Sequence, residues 1–110
     1  MKNNLSTDFI DNYYFGRDIN GETDYDRARN KAFSIILPVI IETELTERQA
    51  VCLKYKYIMQ KSQLEIAELM HLSQPTVSRH ISVAKDIVNN KLRYCYAAVT
   101  AALMEYDRVN

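Results

Sequence analysis

The chain has 110 residues, and its 14 basic side chains balance 14 acidic ones, so the formal net charge is zero. Apolar residues make up 47% and charged residues 25%, which is typical of one globular domain with a modest core. Two glycines and two prolines are too few for the many tight turns of a β-sandwich or β-barrel. We therefore expect an all-α fold, a small helical domain with long helices and few connections.

Several other classes of protein find no support in the sequence. Cys52 and Cys95 lie far apart, with no CxxC motif and no histidine at ligand spacing, so we expect reduced thiols rather than a zinc site or a disulfide. The longest apolar stretch, residues 33–41, is too short to cross a bilayer, and the N-terminus has no apolar signal core. A Gly-rich phosphate loop, HExxH and GxSxG are absent. We expect a cytoplasmic protein that is not an enzyme and uses no cofactor, metal or small-molecule substrate.

Residues 1–24 are rich in Asn and Asp and are interpreted as an N-terminal arm. Phe9 and Tyr13 are four residues apart, so a short amphipathic helix is expected from about Thr7 to Phe15. Aromatic side chains would hold the arm on the surface of the domain. A partner-binding arm is the alternative, and its acidity makes it a poor DNA-binding arm.

The next segment predicts a lead-in helix from about Asp24 to Leu37, with Thr23 as its cap and Pro38 ending or kinking it. A capping box follows, in which Thr46 precedes Gln49 by three residues. A second helix is therefore expected to begin directly after Thr46.

A second capping box, Ser62 with Glu65, predicts a helix from Gln63 to about Met70. Ser73 is a third cap, and Pro75 lies in the first turn that follows it. That third helix carries a continuous apolar stripe at helical spacing, formed by Val77, Ile81, Ala84 and Val88. The pair Asn89-Asn90 is expected to break it, with a last helix running from Lys91 to about Asp107.

The helix predicted after Ser62 and the helix predicted after Ser73 are separated only by residues 71–73. Such a short connection makes the two helices cross steeply, as in a helix-turn-helix. The apolar side chains expected to meet between them are Ile66, Met70, Leu72, Val77 and Ile81. Ala67 is small where the helices approach closely. The opposite face of the second helix is polar and cationic, as a major-groove helix requires: Gln can read adenine, Arg can read guanine, and a Thr methyl can pack on thymine.

Three groups of residues in and before the predicted helix-turn-helix form a recognisable pattern. They are Leu45, Thr46, Arg48 and Gln49; then the run from Glu65 to Leu69; then Ser73, Gln74, Thr76, Val77, Ser78, Arg79 and Ala84. Together they resemble region four of bacterial RNA polymerase sigma factors, over about 44 of the 110 residues. The resemblance implies a DNA-binding domain whose second helix reads the −35 promoter element. By position, the base-reading candidates are Gln74, Thr76, Ser78, Arg79 and Ser82. The candidates for contact with the DNA backbone are Lys61, Gln63, His80 and Lys85.

The segment departs from the family in three respects. His71 stands in the turn where glycine is usual, and histidine tolerates a left-handed backbone better than most residues. Ser82 and Asp86 stand where arginines are common, which weakens attraction to phosphate. The chain also has no room for the sigma domain that melts the −10 element, so a small sigma-like regulator of phage or mobile-element type fits better than a complete sigma factor.

Charge is distributed unevenly along the chain. Residues 1–50 hold six basic and nine acidic side chains, whereas residues 51–95 hold seven basic and three acidic ones. A polyanion would therefore bind the second half. The alternative is that neighbouring helices carry balancing charges on solvated faces.

The C-terminal helix adds a heptad-like seam formed by Leu92, Tyr96, Val99, Leu103 and Tyr106. This seam either folds back on the core or pairs with its twin in a homodimer. We divide the chain into the arm 1–24, a helix-turn-helix domain with its lead-in helix at 25–90, and a dimerisation element at 91–110.

The favoured hypothesis is a sequence-specific transcription regulator that binds double-stranded DNA and is expected to be a homodimer. One alternative is an interaction module that binds RNA polymerase or another nucleic-acid machine through its sigma-like face. Another is a phage DNA-packaging or recombination accessory protein.

Overall fold

A computed structural model describes residues 8–16 and 23–109 of the chain. These residues form five α-helices and no strand, which confirms the all-α fold: α1 (Phe9–Phe15), α2 (Asp24–Glu44), α3 (Glu47–Tyr57), α4 (Gln63–Met70) and α5 (Gln74–Val109). They group into two compact units. The first contains the described residues up to Val39 together with those from Asn89 onward, and the second runs from Ile40 to Val88.

In the first unit, α1 packs through its aromatic side chains. The Phe9 ring lies 6.0 Å from the Phe33 ring and 5.5 Å from the Tyr96 ring, centroid to centroid. Ile10 is fully buried. Asp8 caps the helix by accepting a hydrogen bond from the backbone N–H of Asp11. The short helix expected in the arm is thus confirmed from Phe9 onward, while Thr7 lies outside the described residues.

Helix α2 begins as expected, because the Thr23 hydroxyl accepts a hydrogen bond from the Asp26 backbone N–H at 3.0 Å. Of the two alternatives for Pro38, an end of the helix near Leu37 is wrong, since Pro38 lies inside a helix that continues to Glu44, and a kink at Pro38 stays a prediction. A proline inside a helix removes one backbone hydrogen bond. Buried side chains on both sides of it favour continuation, and they are Phe33, Leu37, Ile40 and Ile41.

Helix α5 is continuous through Asn89 and Asn90, so the expected break there is wrong. Asparagine disfavours helices when its side chain competes for nearby backbone groups. Here both amides are engaged elsewhere: Asn89 bonds to Ile10 and Asp8, and Asn90 accepts a hydrogen bond from Arg93. These side chains therefore do not compete for the backbone hydrogen bonds of α5, and the helix continues through both residues.

The second unit contains the helix-turn-helix. Its core includes the predicted side chains between the two helices, and Cys52 and Tyr55 of α3, which were not predicted, join them. Cys52, Ile66, Ala67, Val77 and Ile81 are buried together, with Tyr55, Met70 and Leu72 packed against them. The Sγ atom of Cys52 lies 3.4 Å from the Sδ atom of Met70, which joins α3 to α4. Both cysteines are free. None of the helices that the structure describes is long and apolar enough to span a membrane.

Candidate nucleic-acid interface

The start of each short helix in the second unit is set by a capping box. Around α3, the Thr46 hydroxyl accepts from the Gln49 N–H, and the Gln49 side chain accepts from the Thr46 N–H. Around α4, Ser62 and Glu65 exchange the same two bonds at 3.1 and 2.8 Å. The hydrogen bond from the Ser62 backbone N–H is the main cause that lowers the pKa of the Glu65 carboxyl. The register of α4 is thereby fixed from its first turn.

The turn after α4 adopts the left-handed backbone conformation that the resemblance to sigma region four implies for this position. His71 has φ 58° and ψ 44°. The His71 N–H donates to the Glu68 carbonyl at 3.4 Å, and the Leu72 N–H donates to the Ala67 carbonyl at 3.0 Å. This pair of bonds is a Schellman motif, which closes the end of α4 and redirects the chain.

Ser73 caps α5, as predicted. Its hydroxyl accepts from the Thr76 N–H at 3.3 Å, and its carbonyl accepts from the Val77 N–H at 3.1 Å. The hydroxyls of Ser73 and Thr76 lie 2.8 Å apart and also share a hydrogen bond. This bond orients the Thr76 hydroxyl toward Ser73, and the methyl group of Thr76 remains available for contact with a base.

The first turns of α5 have a buried face and a solvent-accessible face. The buried stripe is the predicted one, formed by Val77, Ile81, Ala84 and Val88. Among the base-reading candidates, Gln74, Arg79 and Ser82 are exposed, and Thr76 and Ser78 are half-buried. Arg79 makes no hydrogen bond or ion pair with any residue in the described ranges 8–16 and 23–109. Its guanidinium is therefore available to a ligand.

The candidates for contact with the DNA backbone lie at the start of α4 and on α5, and one of them, Gln63, contacts a residue of the exposed face. Lys61 precedes the cap of α4, and its charge also helps to lower the pKa of Glu65. His80 and Lys85 are half-buried on α5. Gln63, the first residue of α4, accepts a hydrogen bond from Gln74 Nε2 at 2.5 Å. The sequence did not predict this contact, although both glutamines directly follow a capping serine.

The predicted dimerisation seam lies in the first unit and is partly used within the chain. Leu92 is fully buried, and the Tyr96 ring contacts Phe9 and lies 4.9 Å from the Arg29 guanidinium carbon. Val99 and Leu103 are half-buried, whereas Tyr106 is exposed. Pairing of the seam with a second copy stays a prediction.

Comparison with known protein families gives a match for the segment that contains the helix-turn-helix. Residues 43–86 match the family model described as Sigma-70, region 4. This segment resembles sigma-70 region 4. The match confirms the resemblance inferred from the sequence motifs, and it contains α3, α4 and the first turns of α5. No curated protein and no solved structure matched the chain. Sigma-70 region 4 domains bind DNA and RNA polymerase and have no enzymatic activity.

Proposed function

We propose that the protein is a sequence-specific transcription regulator that binds double-stranded DNA and reads the major groove with the first turns of α5. The observation that carries the proposal is the division of α5 within the segment that matches region 4. One face is buried from Val77 to Ala84, and the other presents Gln74, Arg79 and Ser82 to solvent. A helix anchored on one face, with short polar and cationic side chains on the other, suits the major groove.

Each side chain on this face has a specific role in the proposal. Arg79 donates to O6 and N7 of guanine, and Gln74 pairs with N6 and N7 of adenine. Thr76 packs its methyl group on the methyl of thymine while its hydroxyl is bonded to Ser73. Ser78 and Ser82 accept from or donate to neighbouring base edges.

Contacts with phosphate fix the register of the helix on the duplex. Lys61 and the backbone N–H of Gln63 lie at the start of α4, where the helix dipole attracts an anion. His80 and Lys85 extend the backbone contacts along α5. These contacts act on all sequences alike, because phosphates carry no sequence information.

Fluorescence anisotropy on a random-sequence duplex pool, followed by sequencing of the bound fraction, tests the proposal. Measurements at about 50 and 200 mM salt should show binding that weakens steeply with salt, because neutralised phosphates release counterions. The bound fraction should be enriched in one element. Absence of binding at both salt concentrations would refute the proposal.

An exposed apolar surface on the second unit favours RNA polymerase as a further partner. Ile58, Met59 and Leu64 are 59%, 56% and 69% exposed around the α3–α4 connection. Ile58 and Met59 are adjacent in the chain and Leu64 follows in the first turn of α4, and exposed apolar residues grouped in this way are typical of protein-binding surfaces. Leu64→Ser should abolish co-purification with polymerase and leave duplex affinity unchanged, whereas Arg79→Ala should weaken duplex binding and leave co-purification with polymerase unchanged. Retention of polymerase by the Leu64→Ser variant would contradict this role.

We also propose that the protein is a homodimer, with residues 91–110 as its dimerisation element. Since Leu92 is buried within the chain, contact with a second copy would fall to the exposed apolar residues near the C-terminal end of α5, Met104, Tyr106 and Val109. A two-fold dimer places two reading helices on successive major grooves, about 34 Å apart. Sedimentation equilibrium should then give twice the chain mass, and selection should enrich a palindrome. A monomeric mass with an asymmetric element would contradict the dimer.

A further inference from the structure

The contact between Gln63 and Gln74 joins the two helices of the helix-turn-helix at their first residues. Gln74 Nε2 donates to Gln63 Oε1 at 2.5 Å. The backbone at each end of this contact is fixed by a capping serine, Ser62 for α4 and Ser73 for α5. The two side chains therefore extend from well-ordered positions.

The contact leaves the Gln74 amide with a defined set of free groups. An amide nitrogen carries two hydrogens, and one of them is committed to Gln63. The second hydrogen and the carbonyl Oε1 remain, and these are the donor and the acceptor that adenine requires at N7 and N6. Gln63 keeps its own Nε2 for another acceptor, such as a phosphate oxygen.

The same contact would restrict the motion of Gln74 before DNA binds. A free glutamine side chain loses rotamer freedom when it is ordered at an interface, and this loss weakens binding. A partner that already holds the amide in its reading orientation reduces this loss. While Gln63 keeps Oε1 toward Gln74, it also disfavours the flipped Gln74 amide, which would set two acceptors against each other and present an acceptor where adenine N7 needs a donor.

We propose that Gln63 is a positioning residue that sets the base preference of Gln74, by holding its amide in the orientation that reads adenine. The effect on base preference rests on the proposed DNA-binding function. The ordering of the Gln74 side chain is a property of the free protein. Gln63 need not touch a base. Its effect on specificity acts through Gln74.

The first test measures the free protein and does not depend on DNA. The side-chain amide of Gln74 should show slow-exchanging, restricted NMR signals in the wild type and mobile ones in the Gln63→Ala variant. Gln60, which is exposed, supplies the comparison for an unrestrained amide. Equal mobility of the Gln74 and Gln60 amides in the wild type would overturn the proposal, whatever the DNA result.

The second test measures dissociation constants for duplexes that differ at one base pair. A bidentate contact discriminates between bases by about fivefold to 150-fold. Gln63→Ala should remove most of that discrimination at the position read by Gln74 and leave the position read by Arg79 unchanged. Gln63→Glu keeps an acceptor for Gln74 Nε2, so it should retain the preference while weakening all duplexes through repulsion of phosphate.

A double-mutant cycle completes the test. In the Gln74→Ala background, Gln63→Ala should cause no further change in base preference, because the residue it positions is gone. Independent, additive effects of the two substitutions would overturn the proposal. So would an equal loss on every duplex, which is the pattern expected of Lys61→Ala. Failure of the wild type to bind any duplex would refute the proposed function, while the NMR result would still decide the ordering of Gln74.

Discussion

The Oδ1 atom of Asn89 accepts a hydrogen bond from the backbone N–H of Ile10 at 2.9 Å. The Nδ2 atom of the same side chain donates to Asp8 Oδ1 at 3.2 Å. The first N–H groups of a helix have no partner within it. One asparagine in α5 therefore completes the N-terminus of α1, within the first unit.

Replacing Asn89 with alanine should destabilise α1. The substitution leaves the partly buried Ile10 N–H without its partner, which should lower the free energy of unfolding by about 1–3 kcal/mol. Hydrogen exchange at the α1 amides should accelerate more than exchange at the amides of α4. Asn90→Ala is the matched control, because Asn90 is exposed and bonds only to Arg93 among the described residues. Unchanged exchange in α1 after Asn89→Ala would show that the contact does not hold the helix.

Replacing His71 with glycine should stabilise the second unit. A left-handed conformation costs a residue with a Cβ roughly 1–2 kcal/mol, and glycine adopts it without that strain. Part of this gain is lost because glycine is more flexible when unfolded, so we expect a net gain of about 0.5–1 kcal/mol. Urea unfolding measures the change. His71→Val should instead destabilise, since a β-branched side chain fits a positive φ poorly. Equal stability of the glycine and valine variants would contradict the role of the turn.

The capping carboxylate of Glu65 should make the stability of the wild type depend on pH. Its pKa is lowered in the folded state, mainly by the hydrogen bond from the Ser62 N–H. A lowered folded pKa contributes stability above the unfolded pKa of about 4.3, and that stability is lost as the pH falls through the folded pKa. The difference in unfolding free energy between the wild type and Glu65→Gln should therefore shrink between about pH 7 and pH 3. Glutamine keeps an acceptor for the capping box but does not titrate. A difference that is constant with pH would contradict the assignment.

Arg79 and Lys61 should differ in the way their loss affects binding to DNA. Arg79→Ala should cost about 1–3 kcal/mol and relax specificity at one base position. Lys61→Ala should weaken all sequences alike and reduce the dependence of affinity on salt by about one phosphate contact. Competition titrations with single-base variants of the selected element separate the two patterns. If Arg79→Ala left both affinity and base preference unchanged, the docking geometry would be wrong.

The starts of the helices could be predicted because the interactions that set them are local. Thr46, Ser62 and Ser73 each bond to a residue three positions later, so the signal lies within four consecutive residues. The same holds for the stripe from Val77 to Val88, whose spacing follows from the helical period. The left-handed turn at His71 was inferred from the family resemblance.

The two wrong predictions of a helix end or break concern residues whose conformation depends on contacts with distant parts of the chain. Pro38 and Asn89 both carry local signals that disfavour a helix, and both lie inside one. The partners of Asn89 lie 79 and 81 positions away, and no local pattern can reveal them.

The sequence by itself therefore determined the all-α fold, the capped helix-turn-helix and the polar face of its second helix, because these depend on composition and on short-range hydrogen bonds. The tertiary structure decided the continuity of α2 and α5 and the contact between Gln63 and Gln74, whose residues are 11 positions apart. Such features arise when packing and hydrogen bonds between elements outweigh local preference, and they exist only once the helices have assembled.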